Sequence, residues 1–255
     1  MDTTTLILLC LFAFSAGFVD AIVGGGGLIQ TPASLVLLPG LPVATVIGSL
    51  KIPAFTGTFF ASVQYVKKVP INFKLVLSMC VVALAAAFAG SETLTLISNQ
   101  YMKPVIFVVL ILVAIYTYSK KNFGQKIHRD ISTQKEWIYS MLISMVIGFY
   151  DGFIGPGAGS FLVLAFIGIL GLDFLHASAH AKLVNLSTNL GSIILFLCKG
   201  IILWQVAIPM AICNGLGGML GARLAIARGN RFIRIFFLLI ITATLLRFGY
   251  DVFLK

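Results

Sequence analysis

The sequence predicts an all-α fold: a polytopic transmembrane helical bundle of two inverted repeats, each containing a glycine-broken helix or hairpin. Three observations predict it. The 255 residues are 59% apolar and only 10% charged, where a soluble domain carries about 25% charged residues. The mean hydropathy is +1.05, and most segments are apolar all round, so their solvent is lipid. Third, one block occurs twice. Gly17-Phe18-Val19-Asp20-Ala21-Ile22-Val23-Gly24-Gly25-Gly26 returns as Gly148-Phe149-Tyr150-Asp151-Gly152-Phe153-Ile154-Gly155-Pro156-Gly157, at a constant offset of 131 (151 minus 20). The same offset relates Lys51 to Lys182, Lys68 to Lys199 and Gly90 to Gly221. A duplicated apolar unit with a charged residue before a glycine break is the pattern of a secondary transporter.

Each half divides into five apolar segments. In the first they fall near residues 4–23, 28–38, 43–66, 73–91 and 102–119; in the second, near 137–154, 159–170, 174–197, 204–222 and 233–253. A membrane span needs roughly 20 residues, and runs of 10–14 are too short. The second segment of each half is therefore too short to cross alone. It follows directly on a glycine run, so the first two segments of each half are expected to form a broken helix or a hairpin turning there. The expected organisation is a first repeat over 1–119, a cytoplasmic basic linker over 120–136 and a second repeat over 137–255.

Loop charge sets orientation. Lys67, Lys68 and Lys74 make one basic loop, and Lys120, Lys121, Lys126, Arg129 and Lys135 make a second. Two spans separate them, so both can be cytoplasmic. In the second half the basic loop shifts by one connection, to Arg223, Arg228, Arg231 and Arg234. By the positive-inside rule the second half is then upside down relative to the first, with both termini outside the cell (inner) membrane. The formal charge of +10 is used up by this arrangement, so no nucleic-acid partner is expected. Met1-Asp2-Thr3-Thr4-Thr5 lacks a basic leader, so a cleaved signal peptide is not expected. Cys10, Cys80, Cys198 and Cys213 are isolated among apolar residues and read as packing residues. The lipid bilayer is one partner; nothing in the pattern sets an oligomeric state.

Ionisable residues inside lipid are costly, about 2.5–3.5 kcal/mol each at a helix centre, and mark function by default. Asp20 and Asp151 precede the glycine breaks by one helical turn. They have two readings: a coupling group for protons, or a lock that bonds backbone N–H groups freed by the break. Lys51 and Lys182 occupy equivalent places in the third segments. Inversion brings them towards a shared site, where they face an anionic substrate or form ion pairs with the two aspartates. Gly24, Gly25, Gly26 and Gly27, with Gly155, Gly157 and Gly159, allow close backbone approach. The short helices that begin there present unsatisfied N–H groups with partial positive charge. Two such starts make an anion cradle near the membrane centre. Gln30, Thr31 and Ser160 add hydrogen-bonding groups. The opposing reading of the glycines is close helix packing.

The stretch from His176 to Asn189 is the most polar inside the apolar segments. His176 and His180 share one helical face, as do Asn185 and Asn189, so this face is expected to line a cavity. His176 and His180 suit a proton relay or substrate hydrogen bonding better than a metal, since no acidic or thiol partner is near in sequence. No metal and no cofactor is expected. The first-half equivalent keeps Ser49, Lys51, Thr56 and Thr58 but lacks the His and Asn residues, which makes the expected site asymmetric. The run from Gly215 to Arg223 reads as a helix-packing face.

The paired Gly-Phe-x-Asp-x-x-x-Gly-x-Gly blocks, Ser49-Leu50-Lys51-Ile52, Ala181-Lys182-Leu183-Val184-Asn185 and Gly217-Gly218-Met219-Leu220-Gly221-Ala222-Arg223 resemble the sulfite exporter TauE/SafE family of bacterial and archaeal membrane proteins. The resemblance spans nearly the whole chain. It implies export of sulfite or small organosulfonates, generally as secondary transport. Pro156 departs from strict symmetry of the two glycine runs. The expected function is export of a small sulfur-containing anion, with the site at the repeat interface and one half rocking against the other. A passive anion channel is the alternative, and a metal-ion permease using His176 and His180 a weaker one. No nucleophile–base pair, HExxH motif or cofactor fingerprint argues for an enzyme.

Overall fold

Residues 2–98 and 132–253 are described by the structure, a computed structural model. These residues form eight helices and no strand. Helices α1 (Thr3–Val23), α2 (Gly26–Leu37), α3 (Val43–Val66) and α4 (Phe73–Leu96) belong to the first half. Helices α5 (Thr133–Phe153), α6 (Ala158–Gly168), α7 (Phe174–Cys198) and α8 (Trp204–Phe253) belong to the second. The expected first-half segment at 102–119 and most of the linker at 120–136 lie outside the described residues.

Local sequence explains where these helices begin and end. The Asp2 carboxylate accepts the Thr5 amide at 2.9 Å and caps α1, and Asn72 and Asp173 cap α4 and α7 in the same way. Gly24 ends α1 in the left-handed region, at φ 82°, which a side chain would resist. Helix α2 then starts within two residues. At 12 residues it is about 18 Å long, well short of a hydrocarbon core of about 30 Å.

The glycine break makes a hairpin. Gly26, at the start of α2, lies against the Ala16 carbonyl and the Asp20 side chain on α1. At the far end Leu35, Leu37 and Leu38 join an apolar cluster with Leu9 and Ala13. So α2 runs back along α1. Helix α6 returns on α5 likewise, with the Phe161 ring 5.5 Å from that of Tyr150.

The basic connection expected between segments 204–222 and 233–253 is shorter than expected: the helix continues through Arg223 and Arg228, and α8 (Trp204–Phe253) is two helical pieces meeting at a kink at Gly229 (φ 68°, ψ −165°). The residues before the kink, Ala222-Arg223-Leu224-Ala225-Ile226-Ala227-Arg228, are good helix formers with no breaker among them.

The two halves exchange helices. The most extensive packing of α1 is with α8, and that of α4 is with α5; each pair joins opposite halves. Helix α3 also packs on α8, and α4 on α7. Two bundles result: α1, α2, α3 and α8 in one, and α5, α6, α7 and α4 in the other. They meet chiefly along α3 and α7. The contacts repeat at the offset of 131. Gly90 lies under the Phe149 carbonyl and Gly221 under that of Phe18; Gly17 lies under the Asn214 carbonyl and Gly148 under that of Ala83. Small residues are needed at these crossings because a Cβ would strike the facing backbone.

Five helices among the described residues are long and apolar enough to cross a membrane: α1, α3, α4, α7 and the Trp204–Ile233 part of α8. Large apolar side chains such as Leu11, Leu77, Val81, Val146 and Ile212 face outward. Such a surface is a liability in water and the ordinary one in lipid.

Candidate functional site

Four ionisable residues meet where the bundles touch. Lys51, on α3, donates to the Asp151 side chain at 2.9 Å and to the Asp151 backbone carbonyl at 2.6 Å. Lys182, on α7, donates to Asp20, on α1, at 2.9 Å. Lys182 is fully buried. Lys51 and Asp20 belong to one bundle, Asp151 and Lys182 to the other. Both ion pairs therefore cross the interface, in opposite senses. The wall they form carries two positive and two negative charges and is formally neutral. A buried charge survives only when it is paired and hydrogen-bonded, and the ion-pair reading of the sequence describes this arrangement.

The two carboxylates are held unequally. Asp151 also accepts from Asn185 Nδ2 at 3.0 Å and from the Thr188 hydroxyl. Asn185 in turn accepts from Thr58 across the interface and from Asn189 on its own helix, each at 3.3 Å. The other carboxylate, Asp20, has Lys182 and one long bond from the Gly26 amide, at 3.3 Å. The positions equivalent to Asn185 and Thr188 are Ala54 and Gly57, which offer no donor. Asp20 is also the more open, with 18% of its side chain exposed against 5% for Asp151.

Between the pairs lies a cavity of about 60 Å³. Asp20, Gly24, Gly26, Gly27, Gln30, Lys51, Asp151, Gly155, Gly157, Gly159, Asn185 and Asn189 all line it, so most of the residues singled out in the sequence converge there. The two glycine breaks face each other: a Cβ at Gly24 would strike the Gly159 backbone, and one at Gly159 the Gly24 backbone. The first-turn amides of Gly27 and Gly159 have no hydrogen-bond acceptor among the described residues, as helix starts leave them.

Five expected residues are not part of the lining. Gly25 is the N-cap of α2. The Ser160 hydroxyl donates to the Val23 carbonyl at 3.0 Å, tying one break to the other. Lys182 stands behind Asp20. His176 sits at the start of α7, its backbone N–H and its ring bonded to Asp173 at 3.0 and 2.9 Å. His180 is buried against Phe166 with its ring on the His176 carbonyl, at 2.8 Å. Outside the span, burial pushes the Asp173 carboxyl up, but its bonds from the His176 amide and ring outweigh this and hold it below the usual carboxylate range. No group of three or more His, Cys, Asp or Glu side chains placed to hold a metal ion occurs among the described residues.

Sequence reasoning missed Asn214 and the role of Thr188. Asn214 lines the cavity and donates to Gln30 at 2.9 Å. Its signal was an amide midway along the apolar segment 204–222, beside a glycine run that reads as packing. Packing is what that run does: Gly217 and Gly221 lie against α1, and Gly218 against Gly57 of α3.

The sulfite exporter TauE/SafE family profile matches residues 9–248. The chain belongs to this family. A probable membrane transporter protein, ORF9, of a Sinorhizobium species is 34% identical over 229 residues, which is 90% of this chain and 86% of the relative. A probable membrane transporter protein of Haemophilus influenzae is 34% identical over 228 residues, 89% of this chain and 88% of that one. The probable membrane transporter protein YfcA of Escherichia coli is 29% identical over 238 residues, 90% and 84%. No solved structure matches the chain. This TauE/SafE member is thus a membrane transporter, multi-pass by its five spanning-length helices.

Proposed function

We propose that this TauE/SafE member is a secondary transporter that exports a small sulfur-containing anion, sulfite or an organosulfonate, across the cell (inner) membrane. The observation that carries the reading is the small cavity bounded by two ion pairs, Lys51–Asp151 and Lys182–Asp20, that cross between bundles. A pocket held shut by contacts between two bodies opens to alternate sides when they move. Because helices are exchanged, the moving bodies are the two bundles and not the two sequence halves. Contacts that recur at the offset of 131 support a two-fold relation, and the loop charges favour an axis in the membrane plane with both termini outside.

Charge and size argue for the cargo. One water needs about 10–15 Å³ of such space, so a cavity of about 60 Å³ suits sulfite, with its four heavy atoms, better than a longer sulfonate. The neutral wall leaves recognition to hydrogen-bond donors and to any lysine released from its carboxylate. Asp20 has fewer partners than Asp151 and is the better coupling group: when it takes a proton, Lys182 is freed to offset the anion. No catalytic step, metal or cofactor is invoked.

The test is uptake of labelled sulfite into proteoliposomes under an imposed pH gradient. Accumulation above the external concentration, collapsing when a protonophore is added, is expected. Equilibration without accumulation identifies a passive anion channel instead.

A further inference from the structure

We propose that Gln30 is the anion-selecting side chain of the cavity and that Asn214 is the positioning residue that turns its amide nitrogen inward. The inference rests on the reading of the cavity as an anion site. Gln30 is 4% exposed and stands in the cavity wall. Its oxygen is occupied by Asn214 Nδ2, at 2.9 Å. Its Nε2 has no hydrogen-bond partner, an expensive state for a buried donor unless a ligand completes it.

Glycines on both sides seat the Asn214 amide. The Asn214 Oδ1 atom is lodged between Gly17 on α1 and Gly57 on α3, where a Cβ on either glycine would collide with it. Only Nδ2 is left to meet Gln30, and a donor there makes Gln30 present its own donor elsewhere. Beside it, the first-turn amides of Gly27 and Gly159 are also unmatched. These three unmet groups are all N–H donors, so together they suit a ligand rich in acceptors, such as an oxyanion. Recognition by neutral N–H groups does not itself require an ion pair to break, and it keeps an ion from being held too tightly to release.

The other half carries no copy of this device. The positions equivalent to Gln30 and Asn214 are Phe161 and Ala83. The donor therefore stands on one side of the cavity and belongs to one bundle, α2 with α8.

The test is the concentration dependence of labelled sulfite transport in proteoliposomes. Gln30→Met keeps the volume and removes the donor; it is expected to raise KM at least tenfold with the maximal rate within threefold of wild type. Asn214→Asp, assayed at pH 8.5, draws the Gln30 nitrogen to the new carboxylate and turns the oxygen inward, raising KM at least tenfold. Asn214→Ala frees the amide to face either way and raises it two- to threefold. A purely structural role gives the opposite order, with the near-isosteric Asn214→Asp milder than Asn214→Ala. That order, or a wild-type KM in Gln30→Met, overturns the inference while leaving sulfite transport itself standing. Wild-type vesicles that move no sulfite overturn the functional reading beneath it.

Discussion

Lys51 of α3 and Asp151 of α5 meet across the bundle interface at 2.9 Å, with side chains only 6% and 5% exposed. Removing one member leaves the other charge buried and unpaired, which costs about 3–5 kcal/mol. Lys51→Ala is expected to lower the melting temperature in detergent accordingly. Replacing both members, as Lys51→Met with Asp151→Leu, restores most of that loss and leaves transport abolished. Recovery of transport in the double variant would show that the pair serves only the fold.

The two carboxylates are expected to behave differently. Asp151→Asn disturbs bonds from Lys51, Asn185 and Thr188; each hydrogen bond to a charged group is worth about 1.5–3 kcal/mol, so the melting temperature falls. Asp20→Asn disturbs fewer bonds but strands the fully buried Lys182, so its melting temperature also falls, and it alone loses acceleration by a pH gradient. An equal gradient response in the two variants would remove the assignment of Asp20 as the coupling group.

Thr58 and Asn185 touch across the same interface. Cysteines placed at both positions, with Cys10, Cys80, Cys198 and Cys213 replaced, are expected to be joined by a short bifunctional thiol reagent. Joining them holds the bundles together and stops transport; a cleavable reagent restores it on reduction. Full transport by the joined protein would mean that the bundles do not move apart at this seam.

At the start of α7, Asp173 accepts the His176 amide and caps the helix. Asp173→Ala is expected to cost about 1 kcal/mol. The folded carboxyl lies below its unfolded value of about 3.9, so its contribution is complete above that value and is lost as pH falls through the lower folded one. The melting difference between wild type and variant should be constant above about pH 5 and shrink below about pH 4. A difference that instead grows on acidification would reverse the sign of this linkage.

Much of the site was legible because repetition at a constant offset constrains it twice. The constant offset located Asp20, Asp151, Lys51 and Lys182 together, and the structure brings all four to one seam. The length of 28–38 excluded a full span, and α2 is a hairpin arm. Other features depend on the partner that a residue meets. Nothing in the sequence distinguishes Lys182, shielded behind Asp20, from Lys51, which reaches the cavity. His176 and His180 share one helical face with each other, but at 3.6 residues per turn that face lies on the side of α7 opposite Asn185 and Asn189, which line the cavity. The exchange of α4 and α8 between halves leaves no trace in hydropathy, since a helix buries the same apolar face against either half. Asn214 was overlooked because the glycines after it give a sufficient packing reason for that stretch.

The most direct measurement is the initial rate of labelled sulfite efflux from loaded proteoliposomes, for wild type beside Lys51→Ala and Lys182→Ala. Both variants are expected to fall below a tenth of the wild-type rate, since each unlatches one cross-bundle pair and leaves a bare carboxylate beside the anion. Wild-type rates in both would contradict a site built on these pairs.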